Sequence, residues 1–267
     1  MIHPTAILHP GAKIDGNVRV GPYSIIDEHV EIGPDCVIGS HVHITGRTTI
    51  GSRNQFFSGC IIGEAPQDLN YKNELTGLRI GHGNVFREHV TVHRSNKMGE
   101  DTRVGSNNFL MQHCHVAHNA VLGDHVILAG GALVAGHAHI GERAFISGNC
   151  LVHQFVRVGP LALMQGGSAI SKDLPPYTTA RGYNGICGLN TVGLRRAGFS
   201  AAERLELKQL YHMLFRHGLN LRTAIAEAQK QFSSPRAKVM LDFLTSAKRS
   251  ICVEAGRTVA EEHDQTD

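Results

Sequence analysis

The sequence predicts a mostly β solenoid followed by a small α-helical domain. Two observations carry this prediction. An apolar residue recurs at every sixth position from Leu8 to Ile170 with one interruption, and segments with helical spacing follow once this repeat stops. A period of six is neither the period of about 3.6 typical of a helix nor the period of about 2 typical of a strand. It suits a short strand and a tight corner, repeated many times.

The composition fits a globular protein and excludes several other classes. The chain has 267 residues, of which 42% are hydrophobic and 18% charged. That is too apolar for a disordered chain and too poor in charge for a coiled coil. The net charge of +3 is too small to indicate nucleic-acid binding. No apolar run approaches the ~18 residues of a membrane span, and no secretory signal is visible, so we expect a cytoplasmic protein.

The repeat keeps its phase through two blocks of the chain. In the first block the sixth positions hold Leu8, Ile14, Val20, Ile26, Ile32, Ile38, Ile44, Ile50, Phe56 and Ile62. In the second they hold Ile80, Phe86, Val92, Met98, Val104, Leu110, Val116, Leu122, Leu128, Val134, Ile140, Ile146, Val152, Val158, Met164 and Ile170. A Gly often follows the apolar residue, and a small residue often stands four positions after it. This pattern predicts one inward side chain and one tight corner in each repeat.

The pattern resembles that of the hexapeptide-repeat acyltransferases. That resemblance implies a left-handed parallel β-helix, a hexapeptide-repeat solenoid with three hexapeptides in each coil. Positions that differ by 18 would then stack in columns, about 4.8 Å apart. An open β-sandwich is the alternative, but it would show turn signals at a spacing of roughly 8 to 12 and no fixed period of six.

A polar segment interrupts the repeat between Ile62 and Ile80. The in-phase positions there hold Asp68 and Glu74. We expect residues 64–78 to be extruded from the solenoid and to carry a binding function, although solenoids also tolerate insertions that have none. A second polar stretch, residues 95–103, is also expected to be a loop.

Helix signals begin after the repeat ends. Ser200 and Glu203 form a capping-box sequence, and Ser234 followed by Pro235 suits the start of another helix. A third helix is expected at residues 221–232. The predicted organisation is therefore a β-helix over residues 1–187, an α-helical domain over residues 188–253 and a polar tail over residues 254–267.

The cysteines are expected to be packing residues. Four of the six, Cys36, Cys60, Cys114 and Cys150, fall on the small corner position of the repeat. No pair has the C-x-x-C spacing of a metal or redox site, so neither disulfides nor zinc are expected. Free thiols suit a reducing compartment.

The histidines around position 118 predict a site. His118 stands two positions after the inward Val116, where the chain should face outward. One coil period later comes Gly136, with His137 beside it, and one period after that comes Gln154, with His153 beside it. The coil period therefore gathers these side chains on one face, and such convergence is typical of a functional site.

An ordered set of motifs carries a more specific resemblance. The motifs are Gly63-Glu-Ala-Pro-Gln-Asp68, His115-Val-Ala-His118, Ala135-Gly-His137, His153-Gln-Phe155, Asp173-Leu-Pro-Pro-Tyr177 and the run from Asn190 to Phe199. Over nearly its whole length the chain resembles the UDP-N-acetylglucosamine acyltransferases of lipid A biosynthesis. The resemblance implies a homotrimer that moves a 3-hydroxyacyl group from acyl carrier protein to the 3-position of UDP-N-acetylglucosamine.

The same resemblance implies roles for individual residues. His118 would be the general base, and the backbone N–H of Gly136 would hold the oxyanion. Gly166 would lie near the end of the acyl groove and leave it open for a longer chain. The residues implied to bind the sugar nucleotide are Gln67, Asp68, His115, His137, His153 and Gln154, with Asn190 and Arg196 at the nucleotide end. The basic residues expected to steer an acidic carrier protein are Arg87, Arg94, Arg157, Lys172, Arg195 and Arg196.

Three departures from the family pattern leave alternatives open. Asn70 stands where the family usually has a Lys on the extruded loop, and Lys72 lies two positions further on. Asn119 replaces the acidic residue that commonly follows the catalytic His. Val192 replaces a Glu that contacts the nucleotide. The acceptor could therefore carry a 3-hydroxyl or a 3-amino group. The alternative function is an N-acyltransferase that uses acyl-CoA or acetyl-CoA and a nucleotide-linked 3-amino sugar. A non-catalytic scaffold is a third interpretation.

A metal enzyme is the remaining alternative. Carbonic anhydrases of this fold use three His at spacings of 36 and then 5. Here His82 and His118 are 36 apart and His113 and His118 are 5 apart, but the two steps do not form a chain. The missing third ligand would fall on Gly123 or Gly77, which cannot bind a metal through a side chain. We therefore expect neither a metal nor a cofactor.

Overall fold

The computed structural model describes residues 1–254 and contains a three-sided parallel β-helix followed by an α-helical domain. The fold class predicted from the sequence is confirmed. Each coil contributes one strand to each of three sheets, so that along the solenoid each strand pairs in parallel with the third strand after it. The predicted polar tail, apart from residue 254, lies outside the described residues.

Most strands are two residues long, as a six-residue period requires. Up to the interruption they are β1 (Ile7–Leu8), β2 (Lys13–Ile14), β3 (Arg19–Val20), β4 (Ile25–Ile26), β5 (Glu31–Ile32), β6 (Val37–Ile38), β7 (His43–Ile44), β8 (Arg47–Ile50), β9 (Gln55–Phe56) and β10 (Ile61–Glu64). After it come β11 (Gly77–Ile80), β12 (Val85–Phe86), β13 (Thr91–His93), β14 (Asp101–Val104), β15 (Phe109–Leu110), β16 (His115–Val116), β17 (Val121–Leu122) and β18 (Ile127–Leu128). The remaining strands are β19 (Leu133–Val134), β20 (His139–Ile140), β21 (Phe145–Ile146), β22 (Leu151–Val152), β23 (Arg157–Val158), β24 (Leu163–Met164), β25 (Ala169–Ile170), β26 (Thr178–Arg181), β27 (Gly185–Leu189) and β28 (Val253–Glu254).

The core is a set of columns of inward side chains. Ile26 lies opposite Ile44, one coil further along the chain, and both are fully buried. The corner cysteines are buried as predicted, and none of the six cysteines is joined to another. Each column buries branched aliphatic side chains against each other, which supplies most of the stability of such a solenoid.

Two insertions leave the solenoid at the same corner. Ile80 lies opposite Ile50, and Val104 lies opposite Ile80. The residue numbers of these two pairs differ by 30 and by 24, whereas partners in neighbouring regular coils differ by 18. The insertions therefore add 12 and 6 residues. Both excesses are multiples of six, so both insertions preserve the phase of the repeat. Residues 65–76 form the first extruded loop and residues 94–100 form the second.

The bounds of these loops differ from the prediction. β11 begins at Gly77 and β14 begins at Asp101, so both loops are shorter than the expected 64–78 and 95–103. The last residues of each insertion pair with a neighbouring coil and become strand. Met98 is in phase with the core but lies in the second extruded loop, where its side chain is exposed.

The two extruded loops bind each other. The Asn96 amide donates a hydrogen bond to Asp68 Oδ2 at 2.6 Å. Arg94 Nη1 donates to the Gly63 carbonyl at 2.8 Å, and its guanidinium lies 5.7 Å from the centre of the Tyr71 ring. The loops therefore form one wall beside the solenoid.

The C-terminal domain consists of short helices with well-formed caps. They are α1 (Thr191–Arg196), α2 (Ala201–Phe215), α3 (Leu221–Gln231) and α4 (Pro235–Thr245). The predicted capping box of Ser200 and Glu203 is formed at α2, and Ser234 caps α4 ahead of Pro235. The longest helix between residues 1 and 254 has 15 residues, fewer than the roughly 20 that a membrane-spanning helix needs.

The boundary between the two parts is a pair of strands. The expected boundary at residue 187 falls inside β27, which runs antiparallel to β26 and also pairs with β28. Arg157 joins the parts, because its Nε donates to the buried Asp173 carboxylate of the solenoid at 2.7 Å and its Nη2 donates to the carbonyl of Phe243 in α4 at 3.0 Å. Its guanidinium also lies 4.3 Å from the centre of the Phe243 ring. The helical domain therefore packs on the end of the solenoid.

Candidate active site

A groove of about 500 Å³ runs along the outer face of the sheet that contains β16, β19, β22 and β25. Its floor is apolar and includes Leu133, Leu151 and Ala169, which are successive outward residues of one column. Its head is polar and includes His118. At the far end lie Ser171 and Tyr183. The groove thus joins the imidazole of His118 to an apolar channel.

His118 lies at the head of the groove in the corner after β16. Its Nδ1–H donates a hydrogen bond to Asn119 Oδ1 at 2.9 Å, because an amide oxygen can only accept. The other ring nitrogen, Nε2, is therefore the basic one. The predicted position of His118 outside the core is confirmed.

Gly136 lies under the ring of His118. A Cβ atom at position 136 would come within 2.8 Å of His118 Cε1 and 2.9 Å of Nε2, closer than non-bonded atoms approach. Only glycine therefore allows this contact. The N–H of Gly136 donates to no acceptor in residues 1–254. A basic nitrogen thus lies beside an available hydrogen-bond donor.

A pair of largely buried histidines supports the head of the groove. His93 Nδ1–H donates to the carbonyl of Ala65 in the first extruded loop at 2.6 Å, and its ring meets the ring of His115 edge-on at 5.1 Å. His115 Nδ1 is hydrogen-bonded to the Thr91 hydroxyl at 2.7 Å. Burial lowers the pKa of His93 and lowers the pKa of His115 to about 4, so both rings are neutral at neutral pH.

The first extruded loop supplies one wall of the groove. Gln67 lines it directly. Asp68 does not line it, but its carboxylate accepts hydrogen bonds from the Asn70 backbone N–H at 2.9 Å and from the Asn96 side chain. The Asn70 bond, together with that of Asn96, holds the pKa of Asp68 below its usual value. Asp68 is therefore a fixed negative charge near His118.

Three more predicted residues lie along the same corner. The ring of His137 meets that of His118 edge-on at 5.2 Å and stacks on Phe155 at 4.5 Å. Burial, and then the neighbouring His118, lowers the pKa of His137. His153 lines the groove and donates through Nδ1 to the Gln154 carbonyl at 3.2 Å, whereas the Gln154 side chain is exposed and does not line it.

Besides Asp68, His137 and Gln154, which do not line the groove, three predicted residues lie elsewhere on the chain. Gly166 is exposed at the opposite corner of the sheet. Asn190 is the buried N-cap of α1, where its side chain accepts from the Gly193 N–H at 3.0 Å and donates to the Leu161 carbonyl at 2.9 Å. Arg196 is exposed at the end of α1 and forms no ion pair with any residue in the described chain.

Sequence reasoning missed other residues of the site. His93 does not belong to the column of His118, so the coil period did not point to it. Its contact is with the Ala65 carbonyl of an irregular loop, which the sequence pattern does not report. The apolar floor could have been found, since Leu133 and Leu151 follow His115 at intervals of one coil period. Within residues 1–254 no group of three or more His, Cys, Asp or Glu side chains is arranged to hold a metal ion.

Two family models match the chain. One describes bacterial transferase hexapeptides (six repeats) and matches residues 11–46 and 101–136. The other describes domain 2 of UDP N-acetylglucosamine O-acyltransferase and matches residues 173–252. The β-helix, the hexapeptide match and the histidine-lined groove define an acyltransferase of the hexapeptide-repeat class.

Curated and solved relatives identify the family. Proteins named acyl-[acyl-carrier-protein]–UDP-N-acetylglucosamine O-acyltransferase are 46% identical to this chain in Halorhodospira halophila and in Neisseria gonorrhoeae, over 94% of this chain and 98% of each relative. The UDP-N-acetylglucosamine acyltransferase of Bacteroides fragilis superposes with a TM-score of 0.91 at 39% identity, over 94% of this chain and 99% of that structure. The chain belongs to the acyl-[acyl-carrier-protein]–UDP-N-acetylglucosamine O-acyltransferase family, and the resemblance seen in the sequence is confirmed.

The depressed pKa of His115 predicts a loss of stability in acid. An unfolded histidine has a pKa of about 6.5, so between pH 6.5 and about 4 the unfolded chain binds a proton that folded His115 does not. The associated stability is complete above pH 6.5 and is lost as the pH falls toward 4. Between pH 7.5 and 4.5 the free energy of unfolding should therefore fall by about 2 to 3 kcal/mol more in the native protein than in the His115→Asn variant.

Urea unfolding at the two pH values measures this difference. The exposed His125 serves as a matched control, since His125→Asn should leave the pH dependence as it is in the native protein. Equal pH dependence in His115→Asn and the native protein would contradict the largely buried, neutral state of His115.

Proposed function

We propose that this protein transfers a 3-hydroxyacyl group from acyl carrier protein to the 3-position of UDP-N-acetylglucosamine, the first step of lipid A biosynthesis. The observation that carries the proposal is the contact between His118 and Gly136 at the head of an apolar groove. The relatives that share this fold at 46% identity bear the name of this activity. A groove with one reactive end and an apolar floor suits an acyl chain.

His118 acts as the general base in this mechanism. Its Nε2 takes the proton of the acceptor hydroxyl while the oxygen attacks the thioester carbonyl. The carbonyl oxygen becomes an oxyanion, which the free N–H of Gly136 stabilises. When the tetrahedral intermediate collapses, the carbon–sulfur bond breaks and His118 returns its proton to the carrier thiolate. The products are the acylated sugar nucleotide and the carrier thiol, so His118 ends in its starting state.

The remaining predicted residues bind the substrates. The residues that position the sugar nucleotide are Gln67 and Asp68 on the first extruded loop, together with His115, His137, His153 and Gln154. The neutral state of His115 suits a hydrogen bond to a sugar hydroxyl or amide. The acyl chain lies along the floor formed by Leu133 and Leu151, and Gly166, which has no side chain, leaves the end of that path open. No cofactor takes part in these steps.

The active form in this proposal is a homotrimer. Asn190 and Arg196 are assigned to the nucleotide end of the substrate but lie outside the groove of their own chain. A second copy can bring α1 beside the groove, and cyclic closure then repeats this contact three times.

The six unpaired cysteines suit the reducing cytoplasm, which is the compartment we assign.

Substitution His118→Ala should abolish turnover. A general base contributes roughly 10²- to 10⁴-fold to the rate, and the side chain lies outside the core, so the variant should fold normally. The measurement is kcat with 3-hydroxyacyl carrier protein and UDP-N-acetylglucosamine, with circular dichroism as the folding check. His125→Ala, at an exposed corner away from the groove, is the matched control and should keep full activity. A His118→Ala variant that keeps more than about a tenth of the native activity would overturn the general-base role.

The donor should be a carrier protein rather than coenzyme A. Of the basic residues expected to steer an acidic carrier, Arg87, Arg94 and Arg157 are bound within the chain, as Arg157 is to Asp173. Lys172, Arg195 and Arg196 pair with no carboxylate in residues 1–254 and remain for this purpose. Surface charges accelerate association at low salt and are screened at distances beyond about 8 Å at physiological salt.

Values of kcat/KM for one hydroxyacyl group on carrier protein and on coenzyme A, each at low and moderate salt, test the donor. Arg195→Glu should lower the value for the carrier protein by roughly 3- to 10-fold at low salt and leave the value for coenzyme A unchanged. Lys238→Glu, at an exposed position of α4, is the control. Equal efficiency with both donors and no salt effect would favour the coenzyme A-dependent N-acyltransferase instead.

Subunit complementation tests the trimer. His118→Ala and Arg196→Ala homotrimers should both be inactive, and mixed trimers should regain activity, because a native groove then meets a native Arg196 from another chain. Sedimentation of the native protein at nanomolar concentration gives the mass of the assembly. A fully active monomer, or mixed trimers without recovered activity, would contradict a site shared between subunits.

A further inference from the structure

The side-chain amide of Asn119 is held from three sides. Its Oδ1 accepts from the backbone N–H of Asn96 at 3.0 Å and from His118 Nδ1 at 2.9 Å. Its Nδ2 donates to Ser95 Oγ at 2.7 Å. Asn119 and Ser95 are both buried, so these bonds do not exchange freely with water. Two of the three partners belong to the second extruded loop.

These contacts allow only one orientation of the amide. A backbone N–H cannot accept a hydrogen bond, so the atom that faces Asn96 must be the amide oxygen. Ser95 Oγ donates to the Lys97 carbonyl at 3.1 Å, which leaves its lone pairs for the Asn119 NH₂ group. In the flipped orientation the NH₂ group would face the N–H of Asn96, and both groups would be donors.

The orientation of the amide decides which ring nitrogen of His118 carries the proton. With the oxygen toward Nδ1, the ring carries its proton on Nδ1 and keeps the lone pair of Nε2 free. In the flipped orientation Nδ1 would have to accept, and the proton would lie on Nε2. A ring of that kind cannot take a proton from the acceptor hydroxyl through Nε2.

We infer that the second extruded loop is a positioning element of the active site: Ser95 and the N–H of Asn96 orient Asn119, and Asn119 fixes the tautomer of His118. This inference rests on the proposed function, because it assigns the loop a role in base catalysis. Asn119 and Ser95 are positioning residues and do not touch the substrate. The loop is anchored in turn, because the Ser95 N–H donates to the Gly77 carbonyl at 3.0 Å and the Ser95 carbonyl accepts from the Thr76 hydroxyl.

Nitrogen-15 NMR of labelled histidine reports the tautomer directly. The signals of His118 are those missing from the His118→Ala variant. The native protein at pH 7.5 should show the Nδ1–H form, and Asn119→Leu should shift it to the Nε2–H form and lower kcat about 100-fold with little change in KM. Asn119→Asp keeps an oxygen toward Nδ1, so it should keep the Nδ1–H form and restore most of kcat.

Asn149→Leu is the matched control for the backbone. Asn149 has a φ of 54° and Asn119 a φ of 59°, so leucine meets the same left-handed strain at both positions. Asn149 is exposed and makes no contact with His118, so its variant should keep the tautomer and kcat. An Nε2–H form in the native protein, or an unchanged tautomer in Asn119→Leu, would overturn the inference. The NMR experiment needs no substrate, so it tests the tautomer of His118 independently of the acyltransferase activity.

A double-mutant cycle tests the part played by the loop. Ser95→Ala removes the acceptor for the Asn119 NH₂ group and should lower kcat by roughly 5- to 10-fold, whereas Ser95→Thr keeps the hydroxyl and should restore it. In the Asn119→Leu background Ser95→Ala should have no further effect, because no amide remains to be oriented. Independent, multiplicative losses in the double variant would show that Ser95 does not act through Asn119.

Discussion

Stacking of inward apolar residues, coil upon coil, sets the position of every other part of the solenoid. Ile26 against Ile44 is one of many such pairs, and each fixes the register of a whole coil. Once the coils are in register, every outward position is fixed as well. This is how His118 comes to lie over Gly136, although neither residue contributes a large side chain to the core. The site is a consequence of the same pairing that stabilises the fold.

The extruded loops add what a regular solenoid cannot supply. A repeating wall offers the same few outward positions in every coil and therefore builds columns, not enclosed pockets. From outside that pattern the first insertion brings Gln67 to the head of the groove. The insertions also bring Ala65 to His93 and Ser95 to Asn119 through hydrogen bonds. Because both leave from one corner and bind each other through Asn96 and Asp68, they form one wall. The regular coils provide His118 and the apolar groove, and the extruded loops position the side chains around His118.

The sequence predicted the regular part well and the irregular part poorly, for one physical reason. Period and phase identify outward columns, so the residue numbers alone were enough to place His118 above Gly136. Phase does not distinguish a coil from an insertion whose length is a multiple of six, so Met98 follows the repeat and only its polar neighbours predicted the loop in which it lies. His93 and Asn190 make contacts with backbone carbonyls far away in the chain, which no local pattern reports.

The two ends of the solenoid are covered to different extents. At the C-terminal end β27, β28 and the helices cover the last coil, and the buried Asp173 is bound there by Arg157. At the N-terminal end β1 and β2 have a strand neighbour on one side only within the described chain, β3 is covered there by a single bridge to Ile2, and Ile7 is largely exposed. A linear stack opens most easily from its uncovered end. Amide hydrogens should therefore exchange in a gradient, fastest in the first coils, and the active-site corner lies well inside the slowly exchanging region.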